Sequence, residues 1–174
     1  MIEYLLAFVS GVLVKAVDWL DDDWKSKNPA KFVLALAYGL AIGYIIGTAS
    51  FAILFLSALF AQVFARKIDT AAHWLGFFTA ILSLLYFGFS SIDLPLFFFF
   101  LILAFLDEVD YIGRLRPITD YRLFLKLGAL SMLYFGRLDY FAGIMLFDTG
   151  YALFGMGARM AFFPDRKSRA RTRK

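Results

Sequence analysis

The 174-residue chain contains no cysteine and a single histidine, and only 18% of its residues are charged. Without a thiol, the sequence excludes disulfide bonds, cysteine nucleophiles and thiolate-bound metals. Soluble domains carry about 25% charged residues, so the low charge argues against a water-soluble globule as well as against a disordered chain. Apolar residues take the place of the missing charge, making up 61% of the chain and including 22 Phe. We therefore expect an all-α polytopic membrane protein.

Seven apolar segments approach or reach the length of about 20 residues that a transmembrane helix needs. Short polar or small-residue breaks separate most of them, such as Asp21–Asp23 and Arg66–Lys67. The predicted spans are Ile2–Leu20, Phe32–Gly47, Phe51–Ala65, Ala71–Phe89, Leu94–Leu106, Tyr121–Phe135 and Tyr140–Phe163. Six or eight spans are the alternatives, if a short segment is re-entrant. We expect residues 1–163 to form one transmembrane domain and residues 164–174 to form a basic tail.

Lysine and arginine are distributed unevenly between alternate loops. The tail after Pro164 holds six bases and one acid, which places it in the cytoplasm beside anionic lipid headgroups. With seven spans, the inner loops then hold Lys25, Lys27, Lys31, Arg66, Lys67, Arg114, Arg116 and Arg122. The outer loops hold only Arg137. This bias predicts a multi-pass protein of the cell membrane, with its N-terminus outside and its C-terminus cytoplasmic. We expect membrane lipids as partners and no nucleic acid.

Carboxylates gather at the predicted inner ends of the first, fourth and fifth spans. Helical spacing places Lys15, Asp18 and Asp22 on one face, with Lys15 and Asp18 as a buried ion pair, and makes Asp69 and His73 an i, i+4 pair. Carboxylates that converge near the membrane repel one another unless a cation neutralises them. Oxygen ligands suit Mg²⁺ or Mn²⁺, and a histidine nitrogen favours Mn²⁺ or Zn²⁺. The predicted metal ligands are Asp18, Asp22, Asp69, His73, Asp107 and Asp110.

A metal site of this kind indicates a substrate that carries phosphate, because Mg²⁺ commonly joins carboxylates to substrate phosphates. The predicted phosphate-binding residues are Arg114, Lys25 and Lys126. The predicted catalytic residues are Asp107, Asp110, Lys15 and Asp148. Asp148 lies near the middle of its span, where we expect it to pair with Lys15 or Lys126, to donate a hydrogen bond while protonated, or to relay protons. The predicted function is a transferase-like integral membrane enzyme acting on a lipid phosphate or prenyl diphosphate.

Two acidic stretches, Asp18-Trp19-Leu20-Asp21-Asp22 and Asp107-Glu108-Val109-Asp110, partly resemble a known pattern. The intramembrane prenyltransferases of the UbiA superfamily are similar in having two aspartate-rich motifs at one membrane face. The present chain departs from that family, since no Asn precedes the first cluster, the second lacks the wider acid spacing, and the spans are fewer. We do not assign the chain to the family.

Two other functions are compatible with the pattern. A cation or proton-coupled transporter or channel would use Lys15, Asp18, Lys126 and Asp148 as a polar path. A non-catalytic lipid-binding or assembly protein would use the stripe Gly39, Gly43 and Gly47, whose spacing favours close helix packing and would allow a homo-oligomer. The simplest alternative for the inner acids is that they are solvated and paired with neighbouring bases, and His73 is then an interfacial anchor.

Overall fold

The computed structural model describes residues 1–23, 28–88, 92–109 and 122–162, apart from the side chains of Asp22, Asp23 and Phe162. The regular structure in these ranges is entirely helical, as predicted. Its α-helices are α1 (Ile2–Asp18), α2 (Ala30–Thr48), α3 (Ala52–Phe64), α4 (Ala71–Phe87), α5 (Leu94–Glu108), α6 (Leu123–Ser131) and α7 (Leu138–Phe162). A π-helical turn, Trp19–Asp23, continues α1, and a 3₁₀ turn, Met132–Phe135, continues α6. Each of these seven helices corresponds to one predicted apolar segment.

The breaks in the apolar pattern supply the groups that begin and end these helices. The Thr70 side chain accepts a hydrogen bond from the N–H of His73 at the start of α4. Asp93 accepts one from the N–H of Leu96, 3.1 Å away, at the start of α5. Such side-chain oxygens satisfy N–H groups that have no partner inside the helix. Gly88 ends α4 with a φ of 82°, in a region that glycine adopts without steric penalty.

Helix length separates two of the helices from the others. Residues Ala30–Thr48 and Leu138–Ala161 are long and apolar enough to cross a membrane. The other helices have 9 to 17 residues. A helix of 13 residues, such as α3, is about 20 Å long, whereas the hydrocarbon core of a bilayer is about 30 Å thick. The described residues thus form a helical protein with two candidate membrane spans.

Helix packing buries small residues and aromatic rings. Helix α1 packs on α2 and α7, α2 on α4, and α3 on α5, while α6 joins α5 to α7. A Cβ atom added at Gly43 would lie 2.4 Å from the carbonyl oxygen of Ala80, so the glycine allows α2 and α4 to approach closely. Gly39 makes the same kind of contact with α4. The glycine stripe therefore packs against α4, which is the close helix packing that its spacing favours.

The outer surface of the helices is rich in large apolar side chains. Leu82 is 67% exposed and Ile102 59%. Leu40, Phe78 and Leu127 are also more than half exposed. Large exposed apolar surfaces are uncommon on soluble monomers and mark contact with a membrane or another protein.

The π-helical turn changes the geometry on which part of the predicted site depends. Hydrogen bonds in a π-helix run from residue i to i+5, so successive side chains turn by a smaller angle than in an α-helix. The α-helical spacing that placed Asp22 on the same face as Lys15 and Asp18 therefore holds only as far as Asp18. The side chain of Asp22 lies outside the described residues.

Candidate functional site

A cavity of about 270 Å³ lies between the helices, and its charged lining residues are at one end of the bundle. They come from the C-terminal ends of α1 and α5, the segment between α3 and α4, the start of α4 and the residue before α6. The polar lining residues are Asp18, Tyr38, Gln62, Lys67, His73, Glu108, Arg122 and Tyr151. Apolar side chains complete its wall, among them Val14, Ile42, Phe55, Phe77, Ile144 and Phe147. The cavity is thus amphiphilic.

The carboxylate of Asp18 connects three helices within this cavity. Its Oδ1 atom lies 3.0 Å from Nε2 of His73 on α4. Its Oδ2 atom accepts a hydrogen bond of 2.5 Å from the hydroxyl of Tyr151 on α7. The ammonium of Lys15 lies 3.7 Å from Oδ2, which confirms the predicted Lys15–Asp18 pair. Several charge-assisted contacts of this kind fix the orientation of a carboxylate.

His73 extends this network to a second hydroxyl. Its Nδ1 atom lies 3.1 Å from the hydroxyl oxygen of Tyr38 on α2. A neutral imidazole has one donor and one acceptor nitrogen, so His73 can donate from Nε2 to Asp18 while Nδ1 accepts from Tyr38. A histidine held by a carboxylate beside a hydroxyl group is an arrangement suited to general acid–base chemistry.

A second ion-pair cluster, formed by Asp148, Lys126 and Arg122, joins α7 to the start of α6. Asp148 Oδ2 lies 2.7 Å from the ammonium of Lys126, which confirms one of the predicted pairings. Its Oδ1 atom lies 3.5 Å from Nη1 of Arg122. The Arg122 guanidinium also lies over the rings of Phe147 and Tyr151, at 5.5 and 5.7 Å from their centroids. One carboxylate thus faces two cations.

Asp107 is placed differently from the prediction. It is 5% exposed, and its two oxygens accept hydrogen bonds of 3.0 and 2.7 Å from the backbone N–H groups of Phe124 and Leu125. It therefore caps the N-terminus of α6, where a negative charge is also favoured by the helix dipole. The neighbouring Glu108 lines the cavity and accepts a hydrogen bond from the side-chain amide of Gln62.

The structure brings together some of the predicted metal ligands and separates others. Asp18 and His73 are in direct contact. Asp69 lies before α4, which begins at Ala71, so it is not on the helix that carries His73, although its charge acts on His73. In the described ranges, no group of three or more Asp, Glu or His side chains is arranged to hold a metal ion.

Some of the predicted site residues lie outside the part of the chain that the structure describes. Asp110, Arg114 and Lys25 fall outside the described residues, as does the side chain of Asp22. Lys126 lies against Asp148. The predicted phosphate-binding set is therefore represented in the structure by Lys126 alone.

The opposite end of the bundle holds a separate polar contact around Arg137. Its Nε and Nη2 atoms donate to the two oxygens of Asp139, at 3.1 and 2.9 Å. Nη2 also donates to the carbonyl oxygen of Ser50, 2.7 Å away. The hydrogen bonds to Asp139 raise the pKa of the Arg137 guanidinium. Arg137 thus ties the turn between α2 and α3 to the start of α7.

Comparisons with protein-family models, with curated proteins and with solved structures give no match to this chain. The functional argument therefore depends on the cavity and its side chains.

Six polar cavity residues were not predicted as site residues: Tyr38, Gln62, Lys67, Glu108, Arg122 and Tyr151. Two of them carry a recognisable signal in the sequence. Gln62 is the only glutamine in the chain and lies in an otherwise apolar helix. Tyr151 follows Asp148 by three residues, so the two side chains share a helix face. Gln62 and Tyr151 are thus cavity residues that the sequence shows as polar positions in apolar helices.

Proposed function

We propose that the protein is an integral membrane enzyme that binds a lipid phosphate or prenyl diphosphate in the cavity and acts on its phosphate head in a transferase-like reaction. The observation that carries the proposal is the amphiphilic cavity of about 270 Å³. Its apolar wall suits a hydrocarbon chain. Its polar residues supply donors to phosphate oxygens from Arg122 and Lys67.

The membrane setting has two independent supports. One is the apolar outer surface, on which residues such as Leu82 and Ile102 are more than half exposed. The other is the excess of lysine and arginine in alternate loops. We propose seven membrane-inserted helices, with the N-terminus outside and the cavity mouth on the cytoplasmic side. Helices as short as α3 are accommodated by local thinning of the bilayer.

The cavity also contains the groups that a transfer reaction needs. In a phosphoryl transfer an acceptor hydroxyl bonds to phosphorus as the bond from phosphorus to the leaving oxygen breaks, and the hydroxyl must lose its proton. Nε2 of His73 is held by Asp18 and Nδ1 faces Tyr38, so the Tyr38 oxygen would accept that proton while Tyr38 passes its own to Nδ1. We further propose that Mg²⁺ or Mn²⁺ assists by neutralising the phosphate. Asp18 and Glu108 are the described carboxylates in the cavity wall, and Asp22 and Asp110 belong to the predicted ligand set.

Polar groups away from the cavity support an enzyme better than a transport path. The hydroxyl of Ser57 donates to the carbonyl oxygen of Phe97, and that of Ser83 to the carbonyl oxygen of Leu40. The hydroxyl of Thr79 donates within its own helix, to Leu75. These groups are engaged by the helix backbones, as in helix–helix contacts within membranes. Ion flux in proteoliposomes that is lost on Asp148→Asn would favour the transporter instead.

The proposal is tested by lipid analysis and turnover. The purified chain is extracted with organic solvent, the bound lipids are identified by mass spectrometry, and lipid phosphates of that class are then incubated with the protein. Ala58→Trp places a large ring in the cavity wall and is expected to abolish both co-purification and turnover. Leu82→Trp, on the exposed face of α4, is the matched control and should retain both. Equal lipid content in the two variants would contradict the proposal.

A further inference from the structure

We propose that Arg122 is the residue that binds the anionic phosphate of the ligand in the cavity. This inference deepens the proposed function and rests on it, because it assigns the head-binding role within the same cavity. The charge pattern of the sequence identifies Arg122 only as one of the bases of the inner loops. The ligand class is a phosphomonoester or diphosphate carried on a hydrocarbon chain.

The position of the Arg122 side chain is determined from several sides. It lines the cavity at the N-terminal end of α6. Asp148 lies 3.5 Å from Nη1, and the rings of Phe147 and Tyr151 lie against the guanidinium. Stacking on aromatic rings together with a carboxylate contact holds a guanidinium in a defined plane. The head of a ligand would thus meet a donor group that is already oriented.

The backbone of Arg122 is in an unfavourable conformation. Its φ and ψ angles are 49° and 50°, in the left-handed region, which is uncommon for residues with a side chain. Such conformations persist where the surrounding structure holds them in place, and they are concentrated at functional sites. Here the left-handed turn places the guanidinium in the cavity wall immediately before α6 begins.

Charge and hydrogen-bonding capacity both favour a second anion beside Arg122. Asp148 faces two cations, and Lys126 is the nearer at 2.7 Å. A guanidinium carries five N–H donors in a planar fork that fits phosphate oxygens in pairs. The N–H groups of Phe124 and Leu125 at the start of α6 are already bonded to Asp107. The guanidinium is therefore a better candidate for the phosphate than the helix terminus.

Two carboxylates in the cavity wall, Asp18 and Glu108, act against an anion. They allow a stricter test, because removing a cation and removing a carboxylate should change the affinity for a phosphate ligand in opposite directions. Glu108→Gln keeps a side chain of the same size and removes the negative charge. It should therefore strengthen the binding of a phosphate ligand in the absence of metal.

The experiment measures dissociation constants by isothermal titration calorimetry on the full chain in neutral detergent with EDTA. The probes are dodecyl phosphate, inorganic phosphate and uncharged dodecanol. Arg122→Gln should weaken dodecyl phosphate binding at least about tenfold, as expected for loss of a charged bidentate contact. Arg122→Lys keeps a charge beside Asp148 and should lose part of the affinity. Arg137→Gln, at the other end of the bundle, should bind like wild type.

The outcomes separate the inference from the function on which it rests. If both Arg122 variants bind dodecyl phosphate as tightly as wild type does, Arg122 is not the phosphate-binding residue. The proposed lipid-binding function is then unaffected. No binding of dodecyl phosphate by wild type overturns both. Equal affinity of wild type for inorganic phosphate and dodecyl phosphate, lost in Arg122→Gln, supports the anion site and overturns the lipid ligand. Weaker binding in Glu108→Gln contradicts an anionic head. Circular dichroism of Arg122→Lys checks that the variant is folded.

Discussion

The Asp107 side chain accepts a hydrogen bond of 2.7 Å from the backbone N–H of Leu125, a residue 18 positions further along the chain. Through this contact α5 holds the start of α6. Because Arg122 immediately precedes α6, Asp107 also fixes where the guanidinium enters the cavity wall. Its role in the structure is thus to position another residue.

Asp107→Ala should destabilise the protein. The substitution leaves two N–H groups of α6 without their acceptor, which corresponds to a loss of about 2 kcal/mol and a fall in Tm of about 4–8 °C. Thermal unfolding in detergent, followed by circular dichroism, measures this change. Glu108→Ala removes the neighbouring carboxylate and should have a smaller effect. A larger loss in Glu108→Ala than in Asp107→Ala would contradict the capping role.

Substitution by alanine should change stability differently at two glycines, Gly43 in the contact between α2 and α4 and Gly157 on α7. In Gly43→Ala the new Cβ meets the carbonyl oxygen of Ala80 at 2.4 Å, so the helices must move apart at a cost of about 1–3 kcal/mol. Gly157 has open space around the Cβ position, and Gly157→Ala should be neutral or gain up to about 1 kcal/mol from helix propensity. Thermal unfolding and size-exclusion chromatography distinguish a lost internal contact from a changed oligomeric state. Dissociation of an oligomer by Gly43→Ala, with Tm unchanged, would favour the homo-oligomer.

Asp18 and His73 should be energetically coupled. We expect Asp18→Asn and His73→Gln each to destabilise the protein, and the double variant to lose less than the sum. The coupling expected for side chains in one polar network is about 0.5–3 kcal/mol. A double-mutant cycle of unfolding free energies measures it. Additive effects would show that the contact of 3.0 Å contributes no interaction energy.

The proposed metal can be tested on stability alone. Mg²⁺ or Mn²⁺ at about 100 times its Kd adds about 2.7 kcal/mol to the folded state, which raises Tm by about 5–10 °C. We expect this rise in wild type and in Asp107→Asn, because Asp107 is bonded to α6. It should be absent in Asp18→Asn. A wild-type protein whose Tm is unchanged by either ion would exclude the metal from the proposed function.

The proposed orientation can be tested with single cysteines, because the chain has none of its own. Ser50→Cys lies in the turn after α2 and should react with an impermeant maleimide on intact cells. Asn28→Cys lies before α2 and should react only after the membrane is permeabilised. The reverse pattern would place the cavity mouth outside the cell.

The helices and their common polar end could be predicted because both depend on local features. Apolar runs end at Asp21, Arg66 and Asp93, and alternate helix ends return to the same side. The Lys15–Asp18 and Lys126–Asp148 pairs followed from the high energy of an unpaired charge in an apolar helix. These inferences need only helical periodicity and the chemistry of single side chains.

The cavity network could not be predicted because it depends on which helix faces which. Helical spacing shows that two residues share a face, but not that Asp18 faces His73 and Tyr151 from two other helices. The π-helical turn at Trp19–Asp23 altered that spacing, and the start of α4 at Ala71 leaves Asp69 outside the helix that carries His73. Asp107 and Glu108 are adjacent in the sequence, which does not show which of the two carboxylates lines the cavity.

The Arg137 contact has a consequence for the path of a ligand. Because Arg137 fastens Asp139 to the Ser50 carbonyl at the far end of the helices, we expect bound molecules to arrive and depart through the same mouth. The proposed reaction would then be confined to one leaflet, and neither its substrate nor its product would change sides. A lipid delivered only to the opposite leaflet should remain untouched until a flippase supplies it.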